Sequence, residues 1–138
     1  MIREARSADQ RRLEAIQTTA LDEPWPELLE VAVDGPPLVL VLDDGGVVAY
    51  ALVVPDHPVA YLAEFAVAPP AQGRGYGTRL MDGLLDRLRS RGFETVRLTA
   101  REDDERARGF YETFEFAVAD RIEGHYDDGD GVVLTLTL

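Results

Sequence analysis

"YLAEFAVAPPAQGRGYGTRLM" occupies residues 61–81. An apolar, strand-like run (residues 61–67) passes two prolines, reaches glycine at every second position (Gly73, Gly75, Gly77), and enters a run with helical spacing. Glycine recurs in this way where backbone must take up unusual conformations or come close to something. A strand leading through such a loop into a helix gathers free N–H groups and the positive helix end at one point. That is an anion site, best suited to phosphate. Arg74 and Arg79 add two cations. A Gly-Lys-Ser/Thr phosphate loop is excluded, because the chain has no lysine. A dinucleotide fingerprint would open the first βαβ unit, with an acidic residue about 20 positions on. Here the loop lies past mid-chain, and the next strand, "TVRLTA" (95–100), ends without one.

The rest of the chain is read outward from this loop. Leu80, Met81, Leu84, Leu85 and Leu88 repeat at helical spacing, with Asp82, Asp86, Arg87 and Arg89 facing out, until Gly92 stops the helix. Upstream, "LVLVL", "DDGG" and "VVAYALVV" read as strand, turn and strand, followed by the loop "PDHP" and the strand "VAYLAEFAV". "MIREA" predicts a first strand. Ser7 with Gln10 predicts a capping box before a helix, which Pro24 and Pro26 end. A short helix is expected near Glu27 to Val33. Downstream, "DDERARGFYETF" predicts a helix with acidic residues at its start. "EFAVADRIE" and "VVLTLTL" predict two strands around a polar turn, "GHYDDGDG". The order βααβββαβαββ is that of an α/β (α+β) sandwich, a mixed sheet with flanking helices.

Composition narrows the function. With 138 residues, 46% of them apolar, one domain spanning 1–138 is the economical reading. The absence of cysteine excludes disulfides, thiolate nucleophiles and cysteine-bound metals. Two scattered histidines give no metal-ligand spacing. No apolar core of signal-peptide type and no run of the roughly 18 residues a membrane span needs are found, so a soluble cytoplasmic protein is expected. The net charge is -12, and all 14 basic residues are arginine. That balance argues against nucleic acid and anionic membrane as partners. It fits either a soluble, self-repelling surface or a salt-rich cytoplasm that screens the repulsion.

Gln72-Gly73-Arg74-Gly75-Tyr76-Gly77 resembles the Q/R-x-x-G-x-G/A motif of the GNAT superfamily of acyl-CoA-dependent N-acyltransferases. "YLAEFAVAP" resembles the family's strand before the loop, and "ERARGFYETFEF" its A-x-x-x-Y-E-x-x-G-F helix and strand. The resemblance implies a mixed, mostly antiparallel sheet of about seven strands flanked by four helices, with acetyl-CoA as co-substrate and no metal. It implies that amides of Gln72, Gly73, Arg74, Gly75, Tyr76, Gly77 and Thr78 hold the pyrophosphate. Phe65, Ala66 and Val67 would bond the pantetheine arm as an added strand does. Asp104 falls where the family has an Asn near the cofactor thiol, and Glu115 replaces its usual Gly. Within the superfamily, "PWPELL" and "EGHYDDGDGVVL" resemble loops of the N-terminal protein acetyltransferases, including the ribosomal-protein alanine acetyltransferases. This similarity implies an acceptor groove with Trp25, His125 and Tyr126 at its edges. Trp25 has a second reading as a core anchor after a proline turn.

Acetyl transfer to an amine requires a neutral amine, a stabilised oxyanion and a protonated leaving thiolate. By the resemblance Tyr111 is the general acid, a phenol with an ordinary pKa near 10, and the amide of Val67 meets the oxyanion. The family's Glu on the strand before the catalytic helix is replaced here by Thr99. Glu64, a carboxylate interrupting an otherwise apolar strand, is the expected base; its alternative is a salt-bridged or sheet-edge carboxylate. His125 is the second candidate base, and His57 reads as loop. The expected acceptor is a protein or peptide N-terminus, with a small amine or antibiotic as the alternative and a non-catalytic acyl-CoA sensor as the third reading. A monomer or a homodimer fits equally. The acidity carries its own test: if screening relieves charge repulsion, the melting temperature should rise from low to molar KCl, and a flat or falling curve would leave the acidity as mere solubility.

Overall fold

β2 (Leu38–Asp43) and β3 (Val47–Asp56) are apolar at nearly every position because the sheet they centre is covered on both faces. The structure, a computed structural model, describes residues 1–35 and 37–138. The other strands are β1 (Ile2–Glu4), β4 (Val59–Val67), β5 (Thr95–Arg101), β6 (Ala117–Tyr126) and β7 (Gly129–Thr137). Together they form one seven-stranded sheet in the order β1-β2-β3-β4-β5-β7-β6. Leu40, Leu42, Ala51 and Val53 pack against Leu80, Met81, Leu84 and Leu88 of α3 (Tyr76–Ser90). The alternate residues Val39, Val41, Tyr50 and Leu52 meet Leu13 and Ile16 of α1 (Gln10–Ala20) and Leu29 of α2 (Pro26–Ala32). Phe110 and Tyr111 of α4 (Glu105–Thr113), with Phe114 just after it, extend the α3 layer. The expected mixed sheet with four helices is the one observed.

Every neighbouring pair is antiparallel except β4 and β5. These two are parallel and pair only from Val59 opposite Thr95 to Tyr61 opposite Arg97. Beyond Tyr61 a register shift against β3, between Leu62 and Glu64, leaves Ala63 as an extra residue. Such a bulge bends a strand and sharpens its twist. β4 therefore leaves β5, and the sheet opens into a cleft at the C-terminal ends of both strands.

Several local expectations change. Ser7 and Gln10 form no capping box. A 3-10 turn (Ser7–Asp9) precedes α1, and Asp9 accepts the Arg6 N–H at 2.8 Å. Asp9 also takes both terminal nitrogens of Arg3, at 2.8 and 3.1 Å, and Arg3 reaches Asp43 at the end of β2 at 3.0 Å. The Arg3 hydrogen bond is the main cause that draws the Asp9 carboxyl down to about 2. Arg87 is half-buried and donates to the Ile2 carbonyl at 3.2 Å. The polar segment 124–131 is not one long turn: β6 runs to Tyr126 and β7 starts at Gly129, leaving Asp127 and Asp128 between them. Among the described residues no helix is long and apolar enough to cross a membrane.

Glu115 has φ of 72°, the left-handed region that glycine enters freely. The chain thus keeps a glycine's turn between α4 and Phe116 without the glycine, at a strain of about 1–2 kcal/mol. Glu115→Gly should raise the melting temperature by about 2–4 °C, the scale set by about 1 kcal/mol, and leave activity unchanged. A lower melting temperature would show that the Glu115 side chain repays the strain.

Candidate active site

The cleft between β4 and β5 is the mouth of a cavity of about 510 Å³, within the range of small-molecule sites. One end is the glycine loop. Gly73 and Gly75 have φ of 78° and 81°, and an added Cβ at either would meet nothing within 4 Å. Backbone conformation, not space, requires glycine there. Gly75 is the N-cap of α3, so the first N–H groups of that helix point out of the loop with no acceptor inside the helix. Gly77 is different: a Cβ would lie 3.4 Å from the Phe110 ring and 3.7 Å from Val67. Phe110 also packs on Phe65, with centroids 5.5 Å apart. This one ring wedges the loop, β4 and α4 together, and no motif singled it out in the sequence. Gln72 donates to the Val67 carbonyl at 3.0 Å, tying the loop back to β4. The Tyr76 hydroxyl donates to Asp44, which fastens the loop to the β2–β3 turn.

Tyr111 lines the cavity, half-buried, with its ring edge-on to Phe110 and Phe116. Burial is the main cause that pushes its phenol above the ordinary value; the charge of Asp104 and the nearby Tyr126 act in the same direction. A phenol so placed keeps its proton at neutral pH and has it available to donate. Asp104 lines the cavity too, but as the N-cap of α4 its Oδ1 accepts the Ala107 N–H at 3.0 Å. Phe65, Ala66 and Val67 line the cavity along the part of β4 that β5 has left.

At the far end lie Leu21, Asp22 and Glu23 of the α1–α2 loop, Thr99 and Arg101 of β5, and Tyr126 of the β6–β7 hairpin. Arg101 joins these segments. It donates to Glu23 at 3.0 Å, to Asp103 at 3.3 Å and to Asp128 at 2.6 Å, and its guanidinium lies 4.9 Å over the Tyr126 ring. Arg121 adds a second fastening, from β6 to Glu102 and Asp130. Trp25 is not in the core: its side chain is 57% exposed, and it stands just outside the cavity lining at the end of the loop. His125 lies outside the lining as well, against Gly131 and edge-on to Tyr126.

Glu64 faces the cavity from β4 and is 6% exposed. Three donor groups hold its carboxylate, the Gln17 Nε2 lying within reach of both oxygens. Oε1 accepts from Gln17 at 2.9 Å and from the Tyr50 hydroxyl at 2.9 Å. Oε2 accepts from Gln17 at 3.1 Å and from the Trp25 backbone N–H at 2.8 Å. No residue in this set forms an ion pair with Glu64, so the expected alternative of a salt-bridged carboxylate is replaced by neutral donors. Among the described residues no group of three or more His, Asp or Glu is arranged to hold a metal.

The sequence profile of the acetyltransferase (GNAT) family matches residues 2–116. Over 76 residues the chain is 43% identical to mycothiol acetyltransferase of Beutenbergia cavernae; the match covers 53% of this chain but only 26% of that protein. The ribosomal-protein-S18-alanine N-acetyltransferase of Escherichia coli superposes with a TM-score of 0.89 at 27% identity, covering 99% of this chain and 92% of that one. Ard1 of Thermoplasma volcanium superposes with a TM-score of 0.90 at 25% identity, covering 100% and 97%.

The glycine loop gives a direct prediction. Gly75→Asp places a carboxylate and a strained φ where the α3 amides point. Calorimetry on the folded variant should show CoA affinity lowered at least tenfold; unchanged affinity would move the phosphates elsewhere.

Proposed function

The chain belongs to the acetyltransferase (GNAT) family, and on that premise we propose that it transfers acetyl from acetyl-CoA to a protein or peptide N-terminus. The observation that carries the reading is one continuous cavity with the amide-rich start of α3 at one end and Tyr111 inside it. The amides of residues 72–78 take the pyrophosphate. The edge of β4 at Phe65–Val67, free of β5, takes the pantetheine arm in the manner of an added strand. The thioester then reaches Tyr111. The amine nitrogen attacks the carbonyl carbon, and the oxygen gains charge beside the Val67 N–H. As the C–S bond breaks, the sulfur takes a proton from the Tyr111 hydroxyl, and the proton lost by the amine restores the phenol. An α-amine, with an ordinary pKa near 8, is partly neutral at neutral pH and asks little of a base. Glu64 is the buried carboxylate on the acceptor side.

Three features support a peptide acceptor. The α1–α2 loop and the β6–β7 hairpin stand on two sides of the cavity, as the walls of a groove would. The exposed Trp25 ring lies beyond the cavity, where residues following an N-terminus would run. The chain also resembles the E. coli S18-alanine acetyltransferase over nearly its whole length. A second reading, a small amine as acceptor, rests on the identity to mycothiol acetyltransferase. Release of CoA thiol over a panel of N-terminal peptides and small amines separates them. Turnover with small amines alone would overturn the peptide reading, and turnover with no amine would favour the acyl-CoA sensor.

Tyr111→Phe removes the proton donor and keeps the ring. It should lower kcat roughly 10- to 1,000-fold with little change in KM. Because the phenol's pKa is raised, loss of its proton should cause no fall in wild-type rate below about pH 10. Unchanged turnover in the variant would remove Tyr111 from the chemistry.

A further inference from the structure

Pro24-Trp25-Pro26 has one backbone donor, because proline carries no N–H. That donor, the Trp25 N–H, is spent on Glu64 at 2.8 Å. Pro26 then starts α2. The loop from Leu21 to Trp25 therefore enters α2 at a point fixed from below by a carboxylate of β4. The same carboxylate holds α1 through Gln17, which is 2% exposed, and the sheet through Tyr50, which is fully buried. A carboxylate offers about four lone-pair directions. Tyr50 takes one and Trp25 one, and the single Nε2 of Gln17 is shared between the two oxygens, so three donors from three elements already hold this 6%-exposed carboxylate in place.

We propose that Glu64 is a positioning residue and not the proton acceptor. Its carboxylate hangs the Leu21–Trp25 loop over the acceptor end of the cavity, and Arg101 steadies the same loop from across the groove through Glu23. The inference rests on the acetyl-transfer reading for its kinetic consequences, and on geometry alone for the loop. Two roles for one carboxylate make opposite demands on its neighbours. If Glu64 is a base, removing a donor frees a lone pair and does no harm to proton transfer. If Glu64 is an anchor, removing a donor loosens the loop as surely as removing the carboxylate does.

The test compares Glu64→Gln with Gln17→Met and the milder Tyr50→Phe, both of which leave the carboxylate in place. The anchor predicts that Glu64→Gln and Gln17→Met raise the acceptor KM roughly tenfold or more, the scale of a lost hydrogen bond to a charged group. The acetyl-CoA KM and the shape of the pH–rate profile should not move. Trp25 is the only tryptophan, so time-resolved fluorescence anisotropy reads the loop directly, and its ring should gain local motion in both variants. Tyr50→Phe, should the others fail to fold, is expected to shift both readouts in the same direction. A Glu64→Gln enzyme that loses the acid limb of its pH–rate profile, beside a Gln17→Met enzyme with wild-type kinetics, would restore the base and overturn the anchor. Should no amine be acetylated, the acetyl-transfer reading fails by itself. The anisotropy still decides the anchor, and equal Trp25 mobility in wild type and Glu64→Gln would overturn it.

Discussion

The parting of β4 from β5 is the constraint from which the rest follows. Seven strands would otherwise close into a continuous sheet with no room for a ligand at its centre. Here the single parallel pair lasts three residues, and the bulge at Ala63 turns β4 aside. Backbone that would have paired with β5 is left along Phe65–Val67. A buried strand with an open edge is costly unless something pairs with it, and an extended amide-bearing arm is the right shape to do so. The same parting lets α3 begin beside the cleft, because β4 runs straight into the glycine loop.

What holds the α1–α2 loop against the β6–β7 hairpin is charge. The α1–α2 loop and the β6–β7 hairpin share no sheet or helix, so packing alone does not place one relative to the other. Arg101, at the end of β5, lies between them with acidic partners on both sides and the Tyr126 ring beneath. Exposed ion pairs contribute little singly. Here one guanidinium satisfies several partners, so the ordering of a single side chain serves more than one contact. Gly129 belongs to this arrangement: a Cβ there would lie 2.9 Å from the Arg101 guanidinium. An arginine suits the position better than a lysine would, since its flat fork both reaches several carboxylates and stacks on an aromatic ring.

The fold was legible because its signals are local and periodic. The apolar runs of residues 38–67, the leucine spacing of α3 and the spacing of the glycine loop all survive in the linear sequence. The glycine-loop end of the cavity was legible for the same reason, since strand, loop and helix are contiguous. The end around Glu64 and Arg101 was not. Gln17, Tyr50, Glu64 and Trp25 meet from four separate elements, and no spacing rule brings them together. Glu64 alone advertised itself, as a carboxylate in an apolar strand, but sequence shows that such a group needs partners without showing which. Trp25 misled in part: an aromatic between prolines suggests an anchored ring, yet the anchored group is its backbone N–H and the ring is outside. The start of α1 was misread because a 3-10 turn precedes it, closed by Asp9 on the Arg6 amide and on Arg3 and not by Ser7, while α1 itself has no side-chain cap.

The two ends of the cavity are thus built from different materials. The glycine-loop end is built of backbone: left-handed glycines, the first amides of α3, and the free edge of β4. The opposite end is built of side-chain charge, with Glu64 beneath the loop and Arg101 across it. Exposed charge pairs weaken as salt rises, whereas buried ones are screened much less. In a chain with net charge -12 this division has a consequence. Salt that relieves the repulsion of the surface also weakens the grip of Arg101 on Glu23 and Asp128, while the neutral donors around buried Glu64 remain largely beyond its reach. The buried anchor therefore sets where the loop begins, and the exposed one sets how firmly its tip is held.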